Sequence, residues 1–427
     1  MRFLTSAFNI SLIAAACFGL TASFAQAQSI SFQATFTASD LNGNVGAAGD
    51  INNDGVPDII AAEDRSASDR VSILSGVDGS VLNTITGDPS GNFGFSVDGA
   101  GDVNGDGYGD VIVGAPANGS GSAFVYSGQD GSVLWSFSGD SDGDGFGGSV
   151  GKAGDLNQDG FGDVIVGASQ FTQGSGYARV LSGFDGTELF TFFGTGTDSR
   201  NGFGRSVDGN ADVNGDGIND LIVGAIQSNA NGGTGIARIF DGSNGNELYS
   251  LTGDSSGDGF GESVAFAGDV NGDGRDDLLI SAIFDGGEDI DRVPHGSVRV
   301  VDGLTGDEFY TLLSDGSEFL GGDLSGAADF DGDGFDDLLV GSSGVAYLFS
   351  GQDGSEIAQF SDGSVGFGSS VAVLGDLNLD GISDFVVRSR GAGATVFLSS
   401  VAVPEPNGVV ALVCISVILI LKRSRLA

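Results

Sequence analysis

The chain is expected to fold as an all-β, seven-bladed β-propeller of four-stranded blades, its ring closed by the N-terminal strand pairing with the last blade. Three observations predict this. A nine-residue acidic loop, DxNxDGxxD or its all-Asp variant, begins at Asp50, Asp102, Asp155, Asp212, Asp269, Asp329 and Asp376. The copies lie about 50 to 60 residues apart, the mark of a tandem array. Each loop runs straight into a short apolar segment such as Asp110-Val-Ile-Val-Gly-Ala115, which is strand chemistry. Each repeat also has room for four short strands, the content of one propeller blade.

The second repeat shows the order of elements. A strand near Ser96 to Ala100 leads into the acidic loop, and strands follow at Val111 to Gly114, Ser122 to Tyr126 and Val133 to Phe137. Asp-Gly and Asn-Gly pairs at Asp78-Gly79, Asp130-Gly131, Asp185-Gly186, Asn244-Gly245 and Asp353-Gly354 suit a tight hairpin between third and fourth strands. After the last third-strand segment, Ala394 to Leu398, no fourth strand follows. Ile30 to Phe36, ahead of the first repeat, alternates like the fourth strands at Leu189 to Phe193 and Leu248 to Leu251. It is expected to pair with blade seven and remove the open edge.

The loops carry the chemistry. Oxygens at positions 1, 3, 5 and 9, with the backbone carbonyl of position 7, can converge on one hard cation, and an all-oxygen set favours Ca²⁺. About seven Ca²⁺ ions are expected. The ligand sets are Asp50, Asn52, Asp54, Val56 and Asp58; Asp102, Asn104, Asp106, Tyr108 and Asp110; Asp155, Asn157, Asp159, Phe161 and Asp163; and Asp212, Asn214, Asp216, Ile218 and Asp220. They continue with Asp269, Asn271, Asp273, Arg275 and Asp277; Asp329, Asp331, Asp333, Phe335 and Asp337; and Asp376, Asn378, Asp380, Ile382 and Asp384. Position 6 is Gly in every copy, from Gly55 to Gly381, where the chain must bend sharply round the ion. Position 2 is always apolar and is expected to anchor the loop to the core. An EF-hand begins in the same way but needs a bidentate Glu at position 12 and flanking helices. Here position 12 is apolar, as at Val113, Val166 and Val223.

Charge and composition fit a folded metal binder. The 58 acidic residues outnumber 16 basic ones for a formal charge of −42, which disfavours nucleic acid as a partner. With 40% hydrophobic residues the chain is no disordered acidic tail, despite 77 glycines. Cys17 and Cys414 fall in the terminal segments, so residues 28–403 hold no cysteine and bound metal is expected to stand in for disulfides as a staple.

Both ends look like addresses. Residues 1–27, with Arg2, an apolar stretch from Ala7 to Leu20 and Ala25-Gln-Ala27, form a secretory signal. Residues 28–400 form the propeller. In residues 401–427, Val403-Pro-Glu-Pro406 precedes an apolar stretch from Val409 to Leu421 and then Lys422-Arg423-Ser-Arg425. That order resembles the PEP-CTERM sorting signal of Gram-negative bacteria. The resemblance implies transient membrane anchoring through 409–421, removal by an exosortase, and delivery to the cell surface, outer envelope or extracellular matrix. A plain C-terminal membrane anchor is the alternative, although the stretch is short for a permanent span.

Phe93-Gly94 with Gly114-Ala115-Pro116 resembles the FG-GAP repeat of integrin α-subunit propellers. Phe146-Gly147 with Gly167-Ala168, Phe203-Gly204 with Gly224-Ala225, and Phe260-Gly261 with Ser281-Ala282 follow closely. Val45-Gly46 with Ala61-Ala62, Phe319-Leu320 with Gly341-Ser342, and Phe367-Gly368 with Arg388-Ser389 depart from it. The resemblance spans residues 28–400 and implies a seven-bladed propeller with Ca²⁺ between first and second strands.

Other features read as structural. Asp140-Ser-Asp142-Gly-Asp144-Gly and Asp254 to Glu262 imitate the metal loop but are expected to be turns between blades. Trp135 is expected to pack between blades, and His295, the one histidine, to be an inert loop residue. The mature chain has no Cys, no histidine cluster for Zn²⁺, and only His295 for a Ser-His-Asp arrangement, so it is not expected to be an enzyme. The expected role is an adhesion or interaction module for an extracellular protein or polysaccharide. Recognition would lie on the ring face opposite the metal loops, at Ala115 to Gly121, Gln227 to Gly235 and Phe284 to Gly296. A Ca²⁺-dependent polysaccharide lyase or glycosidase, and a purely structural matrix protein, are the alternatives.

Overall fold

The computed structural model describes residues 30–38, 43–63, 69–170, 174–194, 202–226, 233–285, 295–313, 319–390 and 393–401. The expected secretory and sorting segments lie outside these residues, as do 227–232 and 286–294 of the expected recognition loops.

The described strands form seven four-stranded antiparallel sheets. In blade two the strands are Val97–Gly101, Asp110–Ala115, Ser122–Tyr126 and Val133–Ser138, within a residue or two of the sequence reading. First strands line the axis, and that of blade seven contacts that of blade one, so the ring is complete. Blade seven takes its fourth strand from the N-terminus. Ile30–Ala38 pairs antiparallel with Gly393–Val401, from Ile30 opposite Val401 to Ala38 opposite Ala394. The third strand of that blade is thereby covered rather than left as an edge.

Burial follows from strand position. Every residue of the second strand Asp110–Ala115 is buried, because it has sheet on both sides and a neighbouring blade against each face. The fourth strand Val133–Ser138 alternates between half-buried and exposed. Among the described residues the core comprises seven hydrophobic clusters, each spanning one junction. Ile60, Val71 and Ile73 of blade one meet Phe93, Val111 and Val113 of blade two, and Val45, Ile59 and Ala61 of blade one meet Ala372, Val386 and Val396 of blade seven. Trp135 packs at the junction of blades two and three and donates its indole N–H to the Gly183 carbonyl at 2.7 Å.

The Phe-Gly pairs are the wedges of these junctions. Phe146 is fully buried, and Gly147 passes so close to blade two that a Cβ would lie 2.1 Å from the Ser122 carbonyl oxygen. Gly114, from the other half of the motif, is pressed on its opposite side, where a Cβ would meet the Gly147 carbonyl oxygen at 2.0 Å. Both glycines are fixed by close approach of backbone to backbone.

Two register assignments need correction. In blade six the wedge is Leu320-Gly321 and not Phe319-Leu320. Leu320 is fully buried and the Gly321 N–H bonds the Gly341 carbonyl, as the Gly94 N–H bonds that of Gly114. Phe319, although aromatic like the wedges of the other blades, is exposed. In blade one, Val45 pairs with Ala61 as Val97 pairs with Val113, so Val45-Gly46 lies beyond the wedge position. Its equivalent, Leu41-Asn42, lies outside the described residues. The third-to-fourth turns are also longer than a two-residue hairpin. Ser75 to Ser80 is closed by Ser75 N–H to the Ser80 carbonyl and Gly79 N–H to the Ser75 carbonyl, both at 2.8 Å. The extra length lets Gly76 reach the acidic loop of its own blade.

Candidate metal centres

Each acidic loop joins a first to a second strand, and one hydrogen-bond pattern shapes all seven. In blade two, Asp102 accepts from the Asp106 N–H through Oδ1 at 3.1 Å and from the Gly107 N–H through Oδ2 at 2.9 Å. Asn104 Oδ1 accepts from Asp106 N–H, and Asp106 Oδ1 accepts from Tyr108 N–H, each at 2.9 Å. Asp110 Oδ2 accepts from Val103 N–H at 2.9 Å. Short polar side chains thus satisfy the backbone donors of a tight loop, with positions 1, 3 and 5 bonded round its bend and position 9 tied to the backbone of position 2. Position 6 completes the bend with positive φ, from 85° at Gly274 to 94° at Gly334.

Position 9 is the buried end of each set. Asp58, Asp110, Asp163, Asp220, Asp277, Asp337 and Asp384 are fully buried. In blades one to six a glycine of the third-to-fourth turn donates to the second carboxylate oxygen, for example Gly128 N–H to Asp110 Oδ1 at 3.0 Å. In blade seven Ser399 of the third strand does so instead. Burial pushes these carboxyls up to about 6 in Asp58, Asp110, Asp163 and Asp384, and to about 7 in Asp220, Asp277 and Asp337. The accepted backbone bonds offset part of that rise.

Among the described residues, no Arg or Lys makes an ion pair with a loop carboxylate. Three arginines are engaged elsewhere: Arg179, Arg238 and Arg299 lie over Phe146, Phe203 and Phe260 and pair with Glu188, Glu247 and Glu308, while the Arg275 guanidinium lies against Gly215 of the blade-four loop. In blade six, where position 3 is also Asp, carboxylate oxygens of Asp329, Asp331 and Asp333 lie within 4.8 Å of one another. A gathered, uncompensated set of hard oxygens fits a divalent cation, which would favour their ionised forms.

Position 2 does more than anchor its own loop. Ile51 packs on Gly128 of the next blade, Val103 on Gly183, and Leu377 of blade seven on Gly76 of blade one. Position 8 was not singled out from the sequence, yet it ties loop to loop. Gly109, Gly162 and Asp336 donate N–H to the carbonyls of Asp50, Asp102 and Asp269 at 3.0 to 3.1 Å. The Asp276 and Asp336 side chains accept from the Asp212 and Asp269 N–H groups at 3.0 and 2.9 Å. The constant spacing of two aspartates one residue apart was its signal only in blades five and six. The imitation loop at Asp140 is a turn: buried Asp144 accepts from Asp140 and Ser141 N–H, Gln170 Nε2 and the Tyr177 hydroxyl.

Comparison with known families agrees with this geometry. The FG-GAP repeat model matches residues 93–133, 146–181 and 260–289, and an FG-GAP-like repeat model matches 329–387. The chain thus carries FG-GAP-type repeats within its propeller. The FG-GAP propeller is similar to integrin alpha-5 of Xenopus laevis, 32% identical over 218 residues, 47% of this chain and 20% of that protein. It is also similar to integrin alpha-8 of Mus musculus, 32% identical over 207 residues, 42% of the chain and 19% of that protein. Against integrin alpha-2 of Mus musculus the figures are 38% over 89 residues, 19% and 8%. The FG-GAP propeller therefore spans about a fifth or less of the length of these integrin alpha chains.

Proposed function

We propose that this protein is an exported, Ca²⁺-stabilised propeller that serves as an adhesion or interaction module outside the cell. The observation that carries the metal is the set of seven acidic loops, each pre-shaped by its own hydrogen bonds and without a basic partner among the described residues. Ca²⁺ would be held by the side chains at positions 1, 3, 5 and 9 and the carbonyl at position 7. It would offset internal repulsion and cross-brace blades whose loops already touch. Export rests on the secretory signal at 1–27 and on the exosortase-type tail at 403–427, which would place the protein on the surface of a bacterial cell or in its matrix.

The third-to-fourth turns share a face with the metal loops, as the Gly128 to Asp110 bond requires. The second-to-third and blade-to-blade loops therefore form the other face, and we assign recognition of an extracellular protein or glycan to them. Calorimetric titration of the metal-stripped secreted form should give about seven equivalents of Ca²⁺. Glycan arrays and pull-downs at millimolar Ca²⁺ should then yield a ligand that loop replacements on the second face abolish. Near-absent Ca²⁺ uptake would overturn the metal reading. Turnover of a polysaccharide panel would overturn the interaction reading in favour of an enzyme.

A further inference from the structure

The first strands enclose an axial channel of about 540 Å³, within the range of small-molecule sites. Its charged lining is unlike the rest of the surface. Lys152, the single lysine of residues 28–403, faces the channel together with Asp98 of blade two, Asp208 of blade four and Asp323 of blade six, and Asp276 of the blade-five metal loop lines it as well. The Lys152 ammonium makes no ion pair within 4 Å and no side-chain hydrogen bond among the described residues. The carboxylates are held rigidly: Asp208 accepts from Phe266 and Gly209 N–H at 2.9 and 2.8 Å, and Asp323 from Val371 and Leu324 N–H at 2.9 and 3.2 Å. A carboxylate has about four lone-pair positions, so each keeps acceptor capacity. Toward the face opposite the metal loops, Ser96 and Ser149 accept backbone N–H bonds from the following blade and have no protein acceptor for their own hydroxyl hydrogens among the described residues.

We infer that this channel is a second ligand site, fitted to an uncharged polyhydroxylated ring such as a terminal hexose, and entered from the face opposite the metal loops. Charge selects the class. Four carboxylates repel an anion, and the ammonium beside them repels a metal ion. A neutral ligand whose hydroxyls both donate and accept satisfies Asp98, Asp208 and Asp323 on one side and Lys152, Ser96 and Ser149 on the other. Because the walls are fixed by bonds between blades, little ordering is needed on binding. The site is distinct from the rim loops assigned above and does not depend on them.

The test uses the full Ca²⁺-loaded secreted chain and saturation-transfer NMR with glucose, galactose, mannose and N-acetylglucosamine, with glucuronate and inorganic phosphate as charged comparisons. At least one neutral sugar should bind with Kd of about 1 mM or tighter. Lys152→Met should weaken it about tenfold or more and Asp208→Asn should also weaken it, with the folding of both variants checked by their melting curves. The inference fails if no neutral sugar binds, if the charged probes bind better, or if Lys152→Met binds like the parent. Loss of rim-loop binding with sugar binding intact would overturn the earlier proposal and leave this one standing.

Discussion

Replacing Gly128 with alanine measures how tightly a metal loop is tied to the rest of its blade. Gly128 has no positive φ, so alanine carries no conformational strain there. The obstacle is space. A Cβ would lie 1.9 Å from the Gly109 carbonyl oxygen, 2.8 Å from Ile51 Cδ1 and 2.9 Å from Ile51 Cγ2. The turn must therefore retreat by more than about 1 Å, an overpacking cost of about 1–3 kcal/mol. The same retreat breaks the 3.0 Å bond from Gly128 N–H to buried Asp110. Losing a hydrogen bond to a charged partner costs about 1.5–3 kcal/mol more. The expected total is about 2.5–6 kcal/mol, a large part of the 5–15 kcal/mol typical of a folded domain. Gly107→Ala is the control: Gly107 has φ 87° and nothing within 4 Å of a Cβ, so only the left-handed backbone penalises alanine, by about 1–2 kcal/mol. Urea unfolding at saturating Ca²⁺ would compare the midpoints and slopes of the two variants with the parent. A Gly128→Ala midpoint equal to or above that of Gly107→Ala would refute the packing argument.

Deleting residues 30–38 uncovers the third strand of blade seven and should lower the melting temperature by many degrees and promote aggregation; a melt within a degree or two of the full chain would show that closure is dispensable. Chelation should likewise lower the melting temperature of the intact protein, because a ligand that binds only the folded state stabilises it by mass action. Asp106→Ala should remove one bound Ca²⁺ and leave the other sites, as counted by calorimetry, and total loss of binding would contradict independent loops. Burial pushes Asp208 and Asp323 up to about 6, so between about pH 4 and 6 the folded form holds protons that the unfolded form has released. Stability from these groups is present at the low end of that window and falls as pH rises through it. The double variant Asp208→Asn/Asp323→Asn should lose this part of the slope, and a pH-independent difference from the parent would rule the effect out.

Much of the architecture could be read from the chain because it rests on neighbours in sequence. Alternating apolar residues, Asp-Gly turns and the DxNxDGxxD spacing act over a few residues, so they marked the strands, the seven loops and the order of elements within a blade. Even ring closure was legible, since Ile30 to Phe36 has a fourth-strand pattern and blade seven lacks one. Contacts between residues a full repeat apart left no such trace. Leu320 is a wedge only because it fills the hole that Phe93 and Phe146 fill elsewhere, and its aromatic neighbour Phe319 masked it. Gly128 matters because Gly109 and Ile51 close over it, and position 8 because a loop of the adjacent blade lies within hydrogen-bond reach. Asp98, Lys152 and Asp208 are more than 50 residues apart in pairs, and they share one channel only once the blades are arranged about an axis. Short-range turn and strand preferences are carried by the residues concerned, whereas the packing of blade on blade exists only after the ring has closed.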